Sequence, residues 1–188
     1  MTNATNTKVA WILTHVIPNI NSELNCINSG GCGVFAHELH KALKVRGIKS
    51  EVVLAKHRCG WATAANVRRL IDDSGCKGIN TAYQKIFKEY ARTGHVPDVR
   101  NDHLALRFDG NLYDSHGEYD YPAISEGITS KTMEEFLRMP RCWNTTFERS
   151  NGGLSSVLGT LEDFFAEAFK SVPVTHRLNG SRTDASNT

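Results

Sequence analysis

Apolar positions recur at two spacings along the chain, and the change from one to the other divides it into helices and strands. Val9, Ile12, Leu13 and Val16 form one stripe at helical spacing, which predicts a first helix over residues 7–16, ended by Pro18. A loop rich in Asn, Ser and Gly follows over residues 19–31. The clearest helical stripe is Phe35, Leu39, Ala42 and Leu43; it predicts a helix over residues 32–46 with Gly47 as its C-terminal stop. Residues 49–55 (KSEVVLA) hold the run Val52-Val53-Leu54 and predict an internal strand. Residues 66–71 and 81–92 read as two more helices, separated by a Gly-containing turn. Then the period drops to two. HLALRF and NLYDS flank Asp109-Gly110, a strong hairpin signal over residues 103–115. Helices over residues 131–138 and 154–171 complete the pattern.

Helices first, a small antiparallel sheet next and helices last make an α+β order. No internal repeat or linker interrupts it, so residues 1–172 are expected to form a single domain. Residues 173–188, polar and nearly free of large apolar side chains, are expected to form a flexible tail. At 188 residues the chain suits one domain, and its 40% apolar and 22% charged shares are ordinary for a globular protein. The net charge is +2, with Lys and Arg scattered; Arg68-Arg69 and the lysines 85 and 88 read as solvated helix faces. That distribution speaks against a nucleic-acid partner, which would need a basic stripe on one face. No apolar run approaches the roughly 18 residues of a membrane span, and the first residues lack the charged-then-apolar pattern of a signal peptide. Five cysteines (Cys26, Cys32, Cys59, Cys76 and Cys142), odd in number and irregularly spaced, are expected to be free thiols in a reducing compartment, which makes the expected location cytoplasmic.

The candidate chemistry centres on Cys32. It lies in Ser29-Gly30-Gly31-Cys32-Gly33, where the predicted helix begins. Glycines around a cysteine keep bulk away from a substrate backbone. A helix start offers N–H groups without helical partners and a partial positive charge, which favour a thiolate and can hold a developing oxyanion. A buried cysteine in a Gly-rich turn would carry the same residues, so this segment alone does not decide. The hairpin adds weight. With Asp109 and Gly110 as the two turn residues, Phe108 faces Asn111, Leu106 faces Tyr113 and Ala105 faces Asp114. Leu104, Leu106, Phe108 and Tyr113 then collect on one face. His103 and Asp114 share the other as diagonal neighbours, roughly 7–8 Å apart at the backbone and within side-chain reach. A carboxylate there can orient an imidazole and stabilise its charged form. The register that gives the better core also gives the better pair, since a slip by one residue would turn Asp114 onto the apolar face.

Gly31-Cys32-Gly33-Val34-Phe35-Ala36, His103-Leu104-Ala105-Leu106 and Leu112-Tyr113-Asp114 resemble the cysteine, histidine and aspartate blocks of papain-like and transglutaminase-like thiol enzymes. The resemblance covers a small part of the chain and identifies no subfamily. It implies a cysteine at the N-terminus of a central helix packed on a small antiparallel sheet that carries His and Asp. It further implies Cys32 as nucleophile, His103 as general base and then acid, and Asp114 as the orienting residue. The implied activity is a thiol hydrolase or acyltransferase acting on an amide bond (cysteine protease, amidase or deamidase) in a peptide or protein substrate, without a cofactor. Compact domains of this type occur among bacterial and phage proteins, which would make a host cytoplasm one setting.

The blocks also depart from that family. Six residues before the nucleophile, where papain-like proteases carry a Gln for the oxyanion hole, stands Cys26; Asn25 and Asn28 are the nearby amides able to substitute. Gly33 replaces a Trp that often follows the nucleophile, and Gly31 and Gly33 together are expected to leave room for substrate. Trp143 and Trp61 are candidates to line a groove, although such aromatics are more often core. His116, on the His103 face, is a rival base. His37 and His40 read as surface residues of the Cys32 helix, and His95 as a solvated loop residue. A zinc site drawn from His57, Cys59, Cys26, Cys76 and His95 lacks the CxxC or HxxxH spacing of structural sites, so no metal is expected. Two non-enzymatic readings stay open: a binding module that captures a partner in the same cleft, and a small zinc-stabilised interaction domain. The sequence leaves the oligomeric state open.

Overall fold

The computed structural model describes residues 3–57, 92, 101–119, 124–129, 131–138 and 143–174. The helices expected over residues 66–71 and 81–92, the side chains of Cys59, Trp61, Cys76, His95 and Cys142, and the C-terminal segment from residue 175 onward lie outside the described residues, apart from the single position Arg92.

Helix α1 spans Asn3–His15 and buries Val9, Ile12 and Leu13, the stripe read from the sequence. The stretch expected to be a loop is instead partly helical. A 3-10 turn at Ile17–Asn19 leads into a short helix α2, Ile20–Glu23, and a second 3-10 turn, Ile27–Ser29, precedes the loop that leads into Cys32. Ile17, Ile20, Leu24 and Ile27 are all buried, so this segment is held by the core rather than by its own helical propensity.

Helix α3, Cys32–Val45, starts at the predicted residue. It ends in a Schellman motif: Ile48 N–H donates to Leu43 C=O and Gly47 N–H to Lys44 C=O, with Gly47 at φ 71°. Its N-cap, Gly31, makes no side-chain capping bond, an omission that for glycine costs about a few tenths of a kcal/mol against Ser or Asp. Burial offsets this several times over. Phe35, Leu39 and Leu43 are fully buried, each contributing roughly 1.5–3 kcal/mol relative to exposure. On one side α3 meets Leu106, Phe108 and Tyr113 of the sheet. On the other it meets Val157, Leu161 and Phe165 of the long C-terminal helix, with the Phe35 and Phe165 rings edge to face at 5.7 Å. The central helix therefore lies between a sheet and a helical layer.

The sheet has five strands in the order β4-β3-β2-β1-β5: β1 Glu51–His57, β2 Asn101–Phe108, β3 Asn111–Asp114, β4 Gly117–Tyr119 and β5 Ile124–Gly127. All four pairings are antiparallel, which makes the chain α+β as expected. β1 is internal, flanked by β2 and β5. Val52 and Val53 are accordingly both buried, Val52 in a cluster with Cys32 and Leu104, Val53 in one with Ala105 and Leu112. Helices α4 (Met133–Arg138), α5 (Thr145–Ser150) and α6 (Leu154–Ala168) follow the sheet. α4 and α6 match expected helices; α5, β4 and β5 have no counterpart among the sequence-predicted elements.

The β2–β3 register is the expected one, with Phe108 opposite Asn111 and Leu106 opposite Tyr113. Asp109 (φ 50°) and Gly110 (φ 87°) both take positive φ, the signature of a type I′ turn. The next turn, Ser115-His116, joins β3 to β4 and is anchored on the helical layer. Asn21 donates to the Ser115 carbonyl, Ser115 Oγ donates to Asn21 Oδ1, and Gly117 (φ 96°) packs against the backbone of Thr14.

The two hairpin glycines are expected to respond differently to alanine. Gly110 faces open space, so Gly110→Ala should cost only left-handed strain, about 1–2 kcal/mol in a urea melt. A Cβ on Gly117 would lie 3.0 Å from the Thr14 carbonyl oxygen as well, so Gly117→Ala should cost more. Equal costs would mean that the turn does not press on α1.

Candidate active site

Cys32 is the first residue of α3, and the main-chain N–H groups of a first helical turn have no acceptor within the helix. The loop that delivers it is held from several sides. Asn25 N–H donates to Asn151 Oδ1 while Asn151 Nδ2 donates back to the Asn25 carbonyl. Asn144 N–H donates to the Gly30 carbonyl, and its side chain lies so close to Gly30 that a Cβ there would fall 1.9 Å from Nδ2. A Cβ on Gly31 would fall 2.6 Å from the Phe147 ring. These glycines thus admit neighbouring protein, and Gly31 is filled by Phe147 rather than left open for substrate as expected. Gly33, inside the first turn of α3, is buried.

His103 and Asp114 meet as the register requires. His103 Nε2–H donates to Asp114 Oδ2 at 3.2 Å, with His103 9% and Asp114 2% exposed. His103 also hydrogen-bonds the Cys32 side chain. Because Nε2 is engaged with Asp114, Nδ1 is the ring nitrogen that remains for sulfur. Burial alone would depress the imidazole. The hydrogen bonds to Asp114 and Cys32, with the negative charge of both groups, outweigh it and raise the pKa from 6.5 to about 10. By the same coupling the imidazolium favours the thiolate. The sequence-predicted trio is therefore assembled as a cysteine–imidazole–carboxylate array at a helix N-terminus, with Cys32 itself 1% exposed.

The second oxygen of Asp114 is also occupied: Oδ1 accepts from His116 N–H at 2.7 Å. The His116 ring is bonded to Asn28, whose Nδ2 donates to Nδ1. The ring is thus held between Asn28 and the Asp114 side of the array.

Other expected site residues have different partners. Asn25 enters the loop clamp through its main chain, and its Oδ1 lies 3.2 Å from Cys26 Sγ. Trp143 stacks edge to face on Phe147 with ring centroids 5.4 Å apart and donates to Glu148 Oε2, so it buttresses α5. Asn144 beside it, which the sequence offers as a polar contact, is the N-cap of α5: its Oδ1 accepts from Phe147 N–H. His37 and His40 are partly buried on α3. His37 packs on Phe136 and pairs with the buried Glu38; His40 bonds Ser50 Oγ, and burial and then Lys44 hold its pKa below the usual value. The expectation of free thiols fails at Cys26, which is disulfide-bonded. An odd cysteine count excludes only a fully paired set and says nothing about any one residue. Cys32 takes part in no disulfide. Among the described residues, no group of three or more His, Cys, Asp or Glu could hold a metal, and no helix is long and apolar enough to cross a membrane.

No family model, curated protein or solved structure matches the chain.

The raised imidazole has a consequence for stability. A group whose pKa is higher folded than unfolded contributes stability fully below its unfolded value and loses it as pH rises through the folded value. For His103 that window runs from 6.5 to about 10. The unfolding free energy of the wild type, measured relative to His103→Gln in denaturant melts, should fall steadily across this window. A difference that stays flat would show that the folded imidazole is uncharged there.

Proposed function

We propose that the chain is a thiol hydrolase or acyltransferase with a papain-like or transglutaminase-like α+β scaffold, acting on an amide bond in a peptide or protein substrate. One observation carries the reading: His103 is bonded to Asp114, and the Cys32 side chain at the start of the central helix acts together with that carboxylate to favour the protonated imidazole. Helix-start cysteines are common and buried His–Asp pairs are common. Their conjunction, with an imidazole held in the charged form, is what a nucleophilic thiolate requires.

The chemistry can be derived from the groups present. The Cys32 thiolate adds to the amide carbonyl carbon, forming a C–S bond and an oxyanion beside the main-chain N–H groups of the first turn of α3. Imidazolium Nδ1–H of His103 gives its proton to the amide nitrogen as the C–N bond breaks, leaving a thioester. Neutral His103 then takes a proton from water or from an amine as that nucleophile attacks the thioester. The C–S bond breaks, and the thiolate–imidazolium pair is restored. Water makes the reaction hydrolysis, including side-chain deamidation; an amine makes it transfer. Asp114 keeps Nε2 protonated throughout, so that Nδ1 is the nitrogen that exchanges protons. The disulfide at Cys26 removes the free-thiol ground for a cytoplasmic location, because such bonds persist mainly in oxidising surroundings.

A second reading, a binding module that captures a ligand at the same place without turnover, is favoured by the 1% exposure of Cys32. The two readings differ in the reactivity of the thiol. In the enzyme reading, iodoacetamide should label Cys32 well below the ordinary thiol pKa of about 8.5, and His103→Ala should abolish that low-pH limb. Site-resolved mass spectrometry across pH 5–10 measures both, taking roughly a pH unit as the smallest shift that counts. If Cys32 labels only with the profile of an ordinary thiol, and His103→Ala leaves it unchanged, the enzyme reading is wrong and the binding module replaces it.

A further inference from the structure

Beyond the three-residue array, one set of contacts joins the carboxylate to the loop that carries the nucleophile. His116 bonds to Asp114 Oδ1 through its main-chain N–H and to Asn28 Nδ2 through its ring. Asn28 belongs to the 3-10 turn Ile27–Ser29, immediately ahead of Gly30-Gly31-Cys32. The β3–β4 turn and the nucleophile loop are thus tied together behind the site, at residues 88 apart in sequence.

We propose that His116 is a positioning residue, linked through Asn28, that holds Asp114 and the Cys32 loop in mutual register. The proposal rests on the thiol-enzyme reading of the site.

Three observations support it. Asp114 Oδ1 has His116 N–H at 2.7 Å, and Oδ2 has His103 at 3.2 Å, so the carboxylate cannot rotate without losing a bond at each oxygen. The ring is held as well: its Nδ1 lies 2.5 Å from Asn28 Nδ2 and 3.8 Å from Asp114 Oδ1, so the contact to the Cys32 loop is the closer of the two. Finally, Ser115, the residue between Asp114 and His116, is buried and bonded to Asn21, which leaves the turn little freedom to absorb a lost ring contact by moving. Asp114, His103 and Cys32 are the ionisable groups the array presents to one another; on the His116 side the neighbours are Asp114 and the neutral Asn28.

The test is the pH profile of Cys32 alkylation in full-length wild type, His116→Ala, Asn28→Ala, the double variant and His116→Asn, each first shown to be folded by its thermal melt. His116→Asn retains an acceptor near the position of Nδ1. Each alanine variant is expected to move the low-pH limb upward by about one unit, a tenfold slower reaction on that limb, with the double variant no worse than either single one and His116→Asn close to wild type. Should one alanine variant fail to fold, the other reads the same contact. Wild-type profiles in the alanine variants, fully additive losses, or no recovery in His116→Asn would each overturn the proposal. A wild type that lacks the low-pH limb would instead refute the thiol-enzyme reading beneath it.

Discussion

The hydrogen bond from His103 to Asp114 is the constraint around which the β2–β3 hairpin is organised. Both groups are nearly out of contact with water, where an unpaired ionisable side chain would be strongly destabilising; each is tolerated because the other is present. The pair exists only in one strand register. A type I′ turn at Asp109-Gly110 sets that register, and Leu106 and Phe108 on the apolar face hold it against a slip that would bury Asp114 among hydrophobic side chains. The residues just after Asp114 secure it from the other end: Ser115 is bonded to Asn21, and Gly117 lies against Thr14 in a conformation that admits no side chain easily.

The Cys32 end of the array shows the complementary compromise. A Ser or Asp at the N-cap of α3 would add about a few tenths of a kcal/mol of stability, but its side chain would occupy the N–H groups that the proposed mechanism leaves for an oxyanion. The chain carries Gly31 there and takes its stability elsewhere, from the burial of Phe35, Leu39 and Leu43 between the sheet and α6. A glycine-rich loop is entropically costly to order. The contacts that order it come from distant segments: Asn151 on Asn25, Asn144 on Gly30, and Phe147 on Gly31. Helix α5 and its flanks thus act on the site without contributing a reacting group, which is why Trp143 belongs to the support of Phe147.

The parts legible in the sequence are those with a local cause. The helical stripe from Phe35 to Leu43, the Gly47 stop and the Asp-Gly hairpin each come from a few adjacent residues, and they place Cys32, His103 and Asp114 correctly. The failures have tertiary causes. Residues 20–23 and 27–29 are too short to be helical alone; buried isoleucines make them so. β4 and β5 are edge strands of three and four residues whose pairing comes from β3 and β1. α5 is different, because Asn144 ahead of Thr145 and Thr146 is a local N-cap signal, weak only because the helix it opens is six residues long. His116 shares a strand face with His103, which is why the sequence alone makes it a rival base. Its bond to Asn28 depends on how two turns meet in space, and no spacing encodes that.

The charge balance of the array points back to the helix start. With the imidazole protonated, thiolate, imidazolium and carboxylate sum to one negative charge in a volume with little access to water. The three groups include no second cation to compensate it. Two sets of dipoles face that charge: the His116 N–H directed at Asp114, and the first turn of α3, whose aligned peptides amount to about half a positive charge beside the sulfur. In the proposed mechanism the uncapped N-terminus therefore has two roles at once, stabilising the thiolate before reaction and the oxyanion during it. A residue that capped it would weaken both, so the glycine at position 31 is as much a part of the electrostatics of the site as Asp114 is.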